Sequence, residues 1–261
     1  MNLFSLAKGR SSRPEAATPA PLLESRGVCP VCSQLTTFRA HDAWLRDAFV
    51  CTNCDSVPRE RALFRVLELV CPGWRGLRVH ESSPTPRSLT KFLRECAQYT
   101  RSEYDPSIPF GTMSPDGAYR SEDLEAQTFA DASFDLVVTQ DVFEHMFDPA
   151  RAVAEIARTL TPTGLHVFTV PIANGPSASQ RRASRDADGT VTHLFEPLHH
   201  LNPISEEGSL VTIDWGYDIA AYLDQHGSMT TTIFSIDDLS LGIRGALNEV
   251  LVSRKQTAPQ I

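Results

Sequence analysis

"FDLVVTQDVFEHMFDP", residues 134–149, begins as an apolar run suited to a buried strand and ends on Asp148-Pro149, a helix N-cap followed by proline at the first helical position. "DPARAVAEIARTL" continues with apolar residues at helical spacing, so the stretch reads as strand, turn and helix. The same alternation extends in both directions. Upstream, "LRVHESS" (77–83) is a strand, "RSLTKFLRECA" (87–97) a helix, "QYTRSEYD" (98–105) a second strand, and "AYRSEDLE" (118–125) carries a third strand end. Downstream come a turn at "TPTG" (161–164), the strand "LHVFTVP" (165–171), the helix "GYDIAAYLDQHG" (216–227) with a glycine stop, and the strands "MTTTIFSI" (229–236) and "ALNEVLVSRK" (246–255). Strands alternating with helices predict a doubly wound α/β sheet that binds its ligand at the carboxyl ends of the strands.

The chain has 261 residues, 41% of them hydrophobic, enough for one large domain and a small attachment. Its formal net charge of -8 and lack of a basic run argue against broad nucleic-acid binding. No stretch approaches the roughly 18 uninterrupted apolar residues of a membrane span, and the N-terminus lacks signal-peptide character, so a cytoplasmic protein is expected. Six cysteines are present, and four form the pairs "CPVC" and "CTNC": Cys29, Cys32, Cys51 and Cys54, with 18 residues between the pairs. That spacing is expected of a four-cysteine zinc ribbon, a closed tetrahedral and therefore structural site. Zinc would supply ~10 kcal/mol or more of folding free energy to so small a segment. The domain plan is a disordered leader over 1–27, the zinc-ribbon-like module over 28–58, a main domain over 59–255 and a tail over 256–261. "PRERALFRVLELV" (58–70) is the helix joining module to domain. Residues 172–215 show little periodicity and read as an insertion covering a pocket.

Glu81 closes the first main-domain strand and Glu103 the second, 22 residues later, about the offset at which doubly wound proteins place an acid on a ribose. Asp123 follows the third. Any one of these could be a solvated loop acid; their repeated placement points to a nucleoside-like cofactor.

The run "EDLEAQTFADASFDLVVTQDVFEHMFDPARAVAEIARTLTPTGLHVFTVP" (122–171) resembles the central half of class I S-adenosylmethionine-dependent methyltransferases, of the type 11-like kind, and the likeness extends more weakly over 60–255. The resemblance implies a seven-stranded Rossmann-like sheet and S-adenosyl-L-methionine as cofactor. It assigns Glu81 and Ser83 to the first motif, Glu103 to the ribose, Asp123 with Leu124 to the adenine, and Gln140 to the cofactor edge of the fourth strand. In the first motif the family's glycine-rich loop is replaced by "ESSPT" (81–85), although glycine normally allows positive φ and close backbone approach.

Methyl transfer from a sulfonium needs chiefly alignment, and a base matters when the acceptor is a hydroxyl. Asp141, Glu144 and His145 are spaced i, i+3 and i+4, on one face if helical, and similar groups in some quinone and catechol-like O-methyltransferases bind a divalent cation. The other reading is that Glu144 and His145 hydrogen-bond the turn. His145, Asp141 and His193 are the catalytic candidates; His199, His200, Glu196, Trp215 and Tyr217 could shape the acceptor site. The expected function is methylation of a small-molecule or saccharide-linked hydroxyl. A non-catalytic methyltransferase-fold binding module and a nucleic-acid methyltransferase are the alternatives.

Overall fold

The computed structural model describes residues 19–85, 89–200 and 207–255. Residues 1–18 of the expected leader, 86–88 around the start of the expected helix, 201–206 of the insertion and the tail over 256–261 lie outside the described residues. The end of the leader is ordered, contrary to the expected boundary at residue 28. Strand β1 (Leu23–Val28) pairs antiparallel with β2 (Leu35–Ala40), which pairs with β3 (Val50–Cys51). Its composition hides this: "LESRGV" has three polar residues in succession, but its ladder runs the whole strand, from Leu23 opposite Ala40 to Val28 opposite Leu35. A short helix, α1 (Leu45–Ala48), lies between β2 and β3.

Helix α2 (Pro58–Val70) follows the cysteines and buries Ala62, Leu63, Val66 and Leu67, the i, i+1, i+4, i+5 stripe of an amphipathic helix. Its start is fixed by Pro58 and by Glu60, whose carboxylate accepts the Val57 N–H at 3.0 Å. The buried Arg61 joins module to domain. It donates to the carbonyls of Phe49 and Ser56 in the module and of Gly242 in the domain. At Gly242 φ is +65°, and a Cβ would lie 2.4 Å from Phe38, so the approach of the module to this turn requires glycine.

The main domain runs β4 (Arg78–Ser82), α3 (Leu89–Leu93), β5 (Gln98–Glu103), β6 (Arg120–Ser121), β7 (Phe134–Gln140), α4 (Pro149–Thr159) and β8 (Leu160–Thr169). Among the described residues of the insertion are six short strands: β9 (Gln180–Arg181), β10 (Ala183–Arg185), β11 (Val191–His193), β12 (His199–His200), β13 (Ser209–Leu210) and β14 (Ile213–Asp214). Helix α5 (Ile219–Gly227), β15 (Met229–Phe234) and β16 (Val250–Lys255) complete the chain. The seven-stranded sheet has the order β15-β16-β8-β7-β4-β5-β6. Strands β6, β5, β4, β7 and β8 are parallel, whereas β16 runs antiparallel to both β8 and β15. From β6 to β8 this is the order of a doubly wound Rossmann-like sheet, which reverses between β4 and β7.

Strand β7 shows why the opening stretch organises the domain. Leu136 and Val138 enter the core shared with α2, α3 and the module; Phe134 and Val137 enter the core under α4 and α5. A strand covered on both faces reads as a continuous apolar run. The expected turn at "TPTG" is instead the start of β8, where a bulge shifts the pairing with β7 between Phe134 and Leu136. The glycine stop of α5 is also displaced by one: Gly227 is helical and Ser228 takes the left-handed conformation. Among the described residues no helix is long and apolar enough to cross a membrane.

Candidate functional site

The reversal of strand order between β4 and β7 leaves a crevice at the carboxyl ends of the parallel strands. Glu81 lies on β4, Glu103 ends β5, Gln140 ends β7, and Asp123 follows β6 by two residues. The backbone N–H of Glu122 donates to the Glu103 carbonyl at 2.9 Å, holding the loop that carries Asp123 and Leu124 beside the end of β5. Asp123 accepts the Glu125 N–H at 2.8 Å and Leu124 is buried, so this acid sits in a fixed turn rather than a loose loop.

Glu81 is placed differently from the expectation. Its Oε1 accepts from Thr90 Oγ1 at 2.6 Å and Gln140 Nε2 at 3.0 Å, and its Oε2 from Tyr99 OH at 2.7 Å. Burial pushes the carboxyl up to a pKa of about 7 against these donors. Glu81 and Gln140 therefore lock β4, β5 and β7 to one another. Glu103 is buried too, with Oε1 accepting from Arg101 at 2.7 Å; burial raises its pKa and Arg101 opposes the rise. Ser83 supplies what the missing glycine put in question. It has φ of +53° and donates its N–H to Ser102 O at 2.9 Å, so the loop keeps a glycine-like conformation with a serine.

The structure parts Asp141 from Glu144 and His145. Asp141 follows β7 at φ +53° and faces the module: both of its oxygens are 2.9 Å from Arg46 Nη2, and Arg59 Nε is 3.2 Å from Oδ2. Thr169 Oγ1 donates to it at 3.0 Å. Burial alone would raise its pKa, but the two arginines outweigh that and hold it below the usual carboxylate range. Glu144 and His145 lie in a single 3-10 turn, residues Phe143–His145, where a third partner joins them: His200 from β12. His193 is elsewhere, on exposed β11 paired with β10. Tyr217 donates to Glu249, and buried Trp215 donates Nε1–H to Phe143 O at 3.2 Å, bracing the turn.

Two further imidazoles sit inside the core, where burial holds His80 and His166 neutral with pKa values of about 3. They bond Ser102 and Thr139 and belong to the packing. A cavity of about 670 Å³ at the β5–β6 edge is lined by Arg94, Tyr99, Arg101, Tyr119, Arg120 and Phe129. Arg101 and Arg120 are already paired with Glu103 and Glu122.

In the module, Cys29 and Cys54 sulfurs are 3.8 Å apart and those of Cys32 and Cys51 4.0 Å. Four thiolates at ~2.3 Å from one zinc are ~3.8 Å apart at tetrahedral angles, so the cluster fits this metal. All four donor atoms lie within 4.8 Å of one another. Burial pushes the Cys54 thiol up to about 12 and raises Cys29 as well, whereas at Cys51 burial is outweighed by hydrogen bonds from the backbone of Asn53 and Cys54, which lower the thiol.

The family model described as "Methyltransferase domain" matches residues 86–168. A 75-residue stretch is 39% identical to dimethylglycine N-methyltransferase of Parasynechococcus marenigrum (strain WH8102) and covers 29% of this chain and 22% of that protein. The match thus spans about a fifth of the curated relative's length. Among solved structures, the S-adenosylmethionine-dependent methyltransferase of Mesorhizobium loti aligns with 74% of this chain and 98% of its own, at 15% identity and a TM-score of 0.49. The 1,6-didemethyltoxoflavin-N1-methyltransferase of Burkholderia thailandensis, with bound 1,6-didemethyltoxoflavin and S-adenosylhomocysteine, aligns with 76% of this chain and 78% of its own, at 14% identity and a TM-score of 0.46. The order of the sheet makes this an α/β, Rossmann-like fold, and residues 86–168 within it match the methyltransferase-domain model.

Proposed function

We propose that the chain transfers a methyl group from S-adenosylmethionine to a hydroxyl of a small molecule or saccharide. The observation that carries this reading is the placement of Glu103, Asp123 and the Ser83 loop at adjacent strand ends beside the strand-order reversal, within and next to the matched segment. Glu103 would accept the ribose hydroxyls, Asp123 and Leu124 would hold the adenine, and the positive φ of Ser83 would let the backbone approach the cofactor. Glu81 and Gln140 act at one remove, by fixing the strands that carry this loop.

S-adenosylmethionine supplies a methyl group already activated on a sulfonium. The protein's part is to align the acceptor, exclude water and receive the hydroxyl proton. Asp141 is engaged by Arg46 and Arg59 and His193 lies on another hairpin, so the cluster of Glu144, His145 and His200 is the best-placed group for the last task. Zinc in the four-cysteine cluster would be structural, since four thiolates leave no open position.

The reading is tested by incubating the protein with S-adenosylmethionine labelled at its methyl carbon and a small-molecule extract, then following the label by NMR. Label appearing in a methyl ether supports it. Label in a methylamine would move the acceptor to nitrogen, the chemistry named for the curated relative. Cofactor binding with no label leaving it would favour a non-catalytic binding module.

A further inference from the structure

Strands β5 and β6 are parallel, and residues 104–119 connect them without a helix. A parallel crossover usually carries a helix that covers the sheet. Here the connection folds back on β6 as a hairpin: Gly111 donates its N–H to Ser121 O at 2.7 Å, and Ser114 donates its N–H to Tyr119 O at 2.8 Å. Strand β6 pairs only with Ser102 and Glu103, so among the described residues no strand lies beside residues 99–101 on that side of β5. The cavity of about 670 Å³ opens along these three residues, between Arg94 at the end of α3 and Gly117 and Ala118 at the hairpin tip. That is room for a small molecule, since ligand pockets measure ~300–1,000 Å³. It lies toward the start of β5, whereas the cofactor crevice is at the carboxyl ends of the strands, and neither Ser83, Glu103 nor Asp123 lines it.

Three arginines from three elements line this space: Arg94 just past α3, Arg101 on β5 and Arg120 on β6. Buried carboxylates hold two of them by one edge. Arg101 Nη2 donates to Glu103 at 2.7 Å, and Arg120 Nε donates to Glu122 at 2.6 Å. Aromatic faces hold them as well: Arg101 lies 5.8 Å from the centre of the Tyr119 ring and Arg120 5.0 Å from that of Phe129. These contacts leave donors over. The Arg101 Nε–H is buried without an acceptor, and Arg94 forms no salt bridge among the described residues. An orphaned buried donor is costly and calls for a partner. The carboxylates of the hairpin do not supply one: Asp116 accepts from Ser114 Oγ and the Ala118 N–H, and Asp105 from Tyr119 OH and Ser107 Oγ.

We propose that this cavity binds the phosphoryl group of a small phosphorylated molecule, at a site separate from the cofactor crevice. Guanidinium forks from three separate elements suit an oxyanion with three terminal oxygens better than a carboxylate with two. Arg101 and Arg120 are fixed beforehand by their buried partners, so they lose little side-chain freedom when the ligand arrives. Arg94 supplies the charge that no carboxylate neutralises by a salt bridge among the described residues. The cavity is larger than a phosphate, and the body of the ligand lies against Tyr119 and the exposed Met113. The site does not rest on the methyl-transfer reading above.

The test titrates full-length, zinc-loaded protein with inorganic pyrophosphate at low salt in a calorimeter. One pyrophosphate per chain is expected, with affinity falling about 10-fold or more in Arg94→Ala, the scale of a charge-assisted hydrogen bond. Ala118→Trp, which fills the cavity from the hairpin tip, should weaken binding as much. Arg244→Ala should not, because that arginine pairs with Asp237 and lies outside the cavity. Arg94 and Ala118 are exposed, so both replacements spare the fold, which circular dichroism verifies. No uptake at millimolar pyrophosphate, or wild-type affinity in either Arg94→Ala or Ala118→Trp, would overturn the site. Citrate bound as tightly as pyrophosphate would overturn the phosphoryl assignment. Simultaneous binding of pyrophosphate and S-adenosylhomocysteine supports a separate site; displacement of one by the other would place pyrophosphate in the cofactor crevice and overturn it.

Discussion

Ser83 holds a left-handed φ of +53° in the loop where glycine would be the ordinary residue. A serine there stores of order 1 kcal/mol of backbone strain. Ser83→Gly is therefore expected to leave thermal stability unchanged or raise it by up to about 1 kcal/mol, whereas Ser83→Val should lower it by about 2 kcal/mol. Equal melting temperatures for the two variants would show that the loop carries no strain. Glu81 gives a second prediction at this scale. Its folded pKa of about 7 lies above the ordinary value of 4.5, so the fold binds its proton more tightly than the unfolded chain does. Its contribution to stability is full below pH ~4.5 and is lost as pH rises through 7. Relative to wild type, Glu81→Gln should be more favourable at pH 8 than at pH 5, by at most about 3 kcal/mol, in denaturant titrations at the two pH values. A difference that does not change with pH would mean that Glu81 is ionised throughout. The strand-end position of Glu81 was legible in the sequence. Its role was not, because Thr90, Tyr99 and Gln140 reach it from three separate elements.

The module and the main domain meet at the turn after β7. Arg46 on α1 and Arg59 on α2 converge on Asp141, and Arg46 Nε also donates to Leu247 O at 2.9 Å. The module thereby clamps the residue three positions before Glu144. Arg46→Ala should cost about 3 kcal/mol of stability, the scale of breaking a buried pair, with Arg59 and Thr169 limiting the loss. It should leave one zinc per chain by elemental analysis, which separates the clamp from metal binding. Unchanged stability would show that the clamp contributes nothing. Much of the main domain was legible, since α4 and α5 bury residues at helical spacing and β7 shows the continuous apolar run of a strand covered on both faces. The clamp was not: Arg46 and Asp141 are 95 residues apart, and no periodic pattern links them. Nor was β1 legible, because a strand with three polar residues at its centre is defined by its partner. The i, i+3, i+4 grouping of Asp141 with Glu144 and His145 presumed a continuous helix. The chain instead makes a single 3-10 turn, and Asp141 points to the module.

At the scale of the whole molecule, the small module and the sheet share one core: Phe38, Phe49 and Cys51 belong to the same buried cluster as Leu63, Val79 and Val138. Zinc removal is therefore expected to destabilise the main domain along with the module. Cys51→Ser should lower the zinc content below one per chain and reduce the melting temperature seen by near-ultraviolet circular dichroism; full zinc content in Cys51→Ser would exclude the four-cysteine site. The central claim is that the Rossmann-like sheet binds S-adenosylmethionine through a loop with serine in place of glycine, and direct calorimetric titration of the zinc-loaded protein with S-adenosylhomocysteine tests it without knowledge of the acceptor. One binding site per chain is predicted, weakened by about 2 kcal/mol or more in Glu103→Ala, the scale of a hydrogen bond to a charged group. Folded protein that takes up no S-adenosylhomocysteine at millimolar concentration would contradict the account.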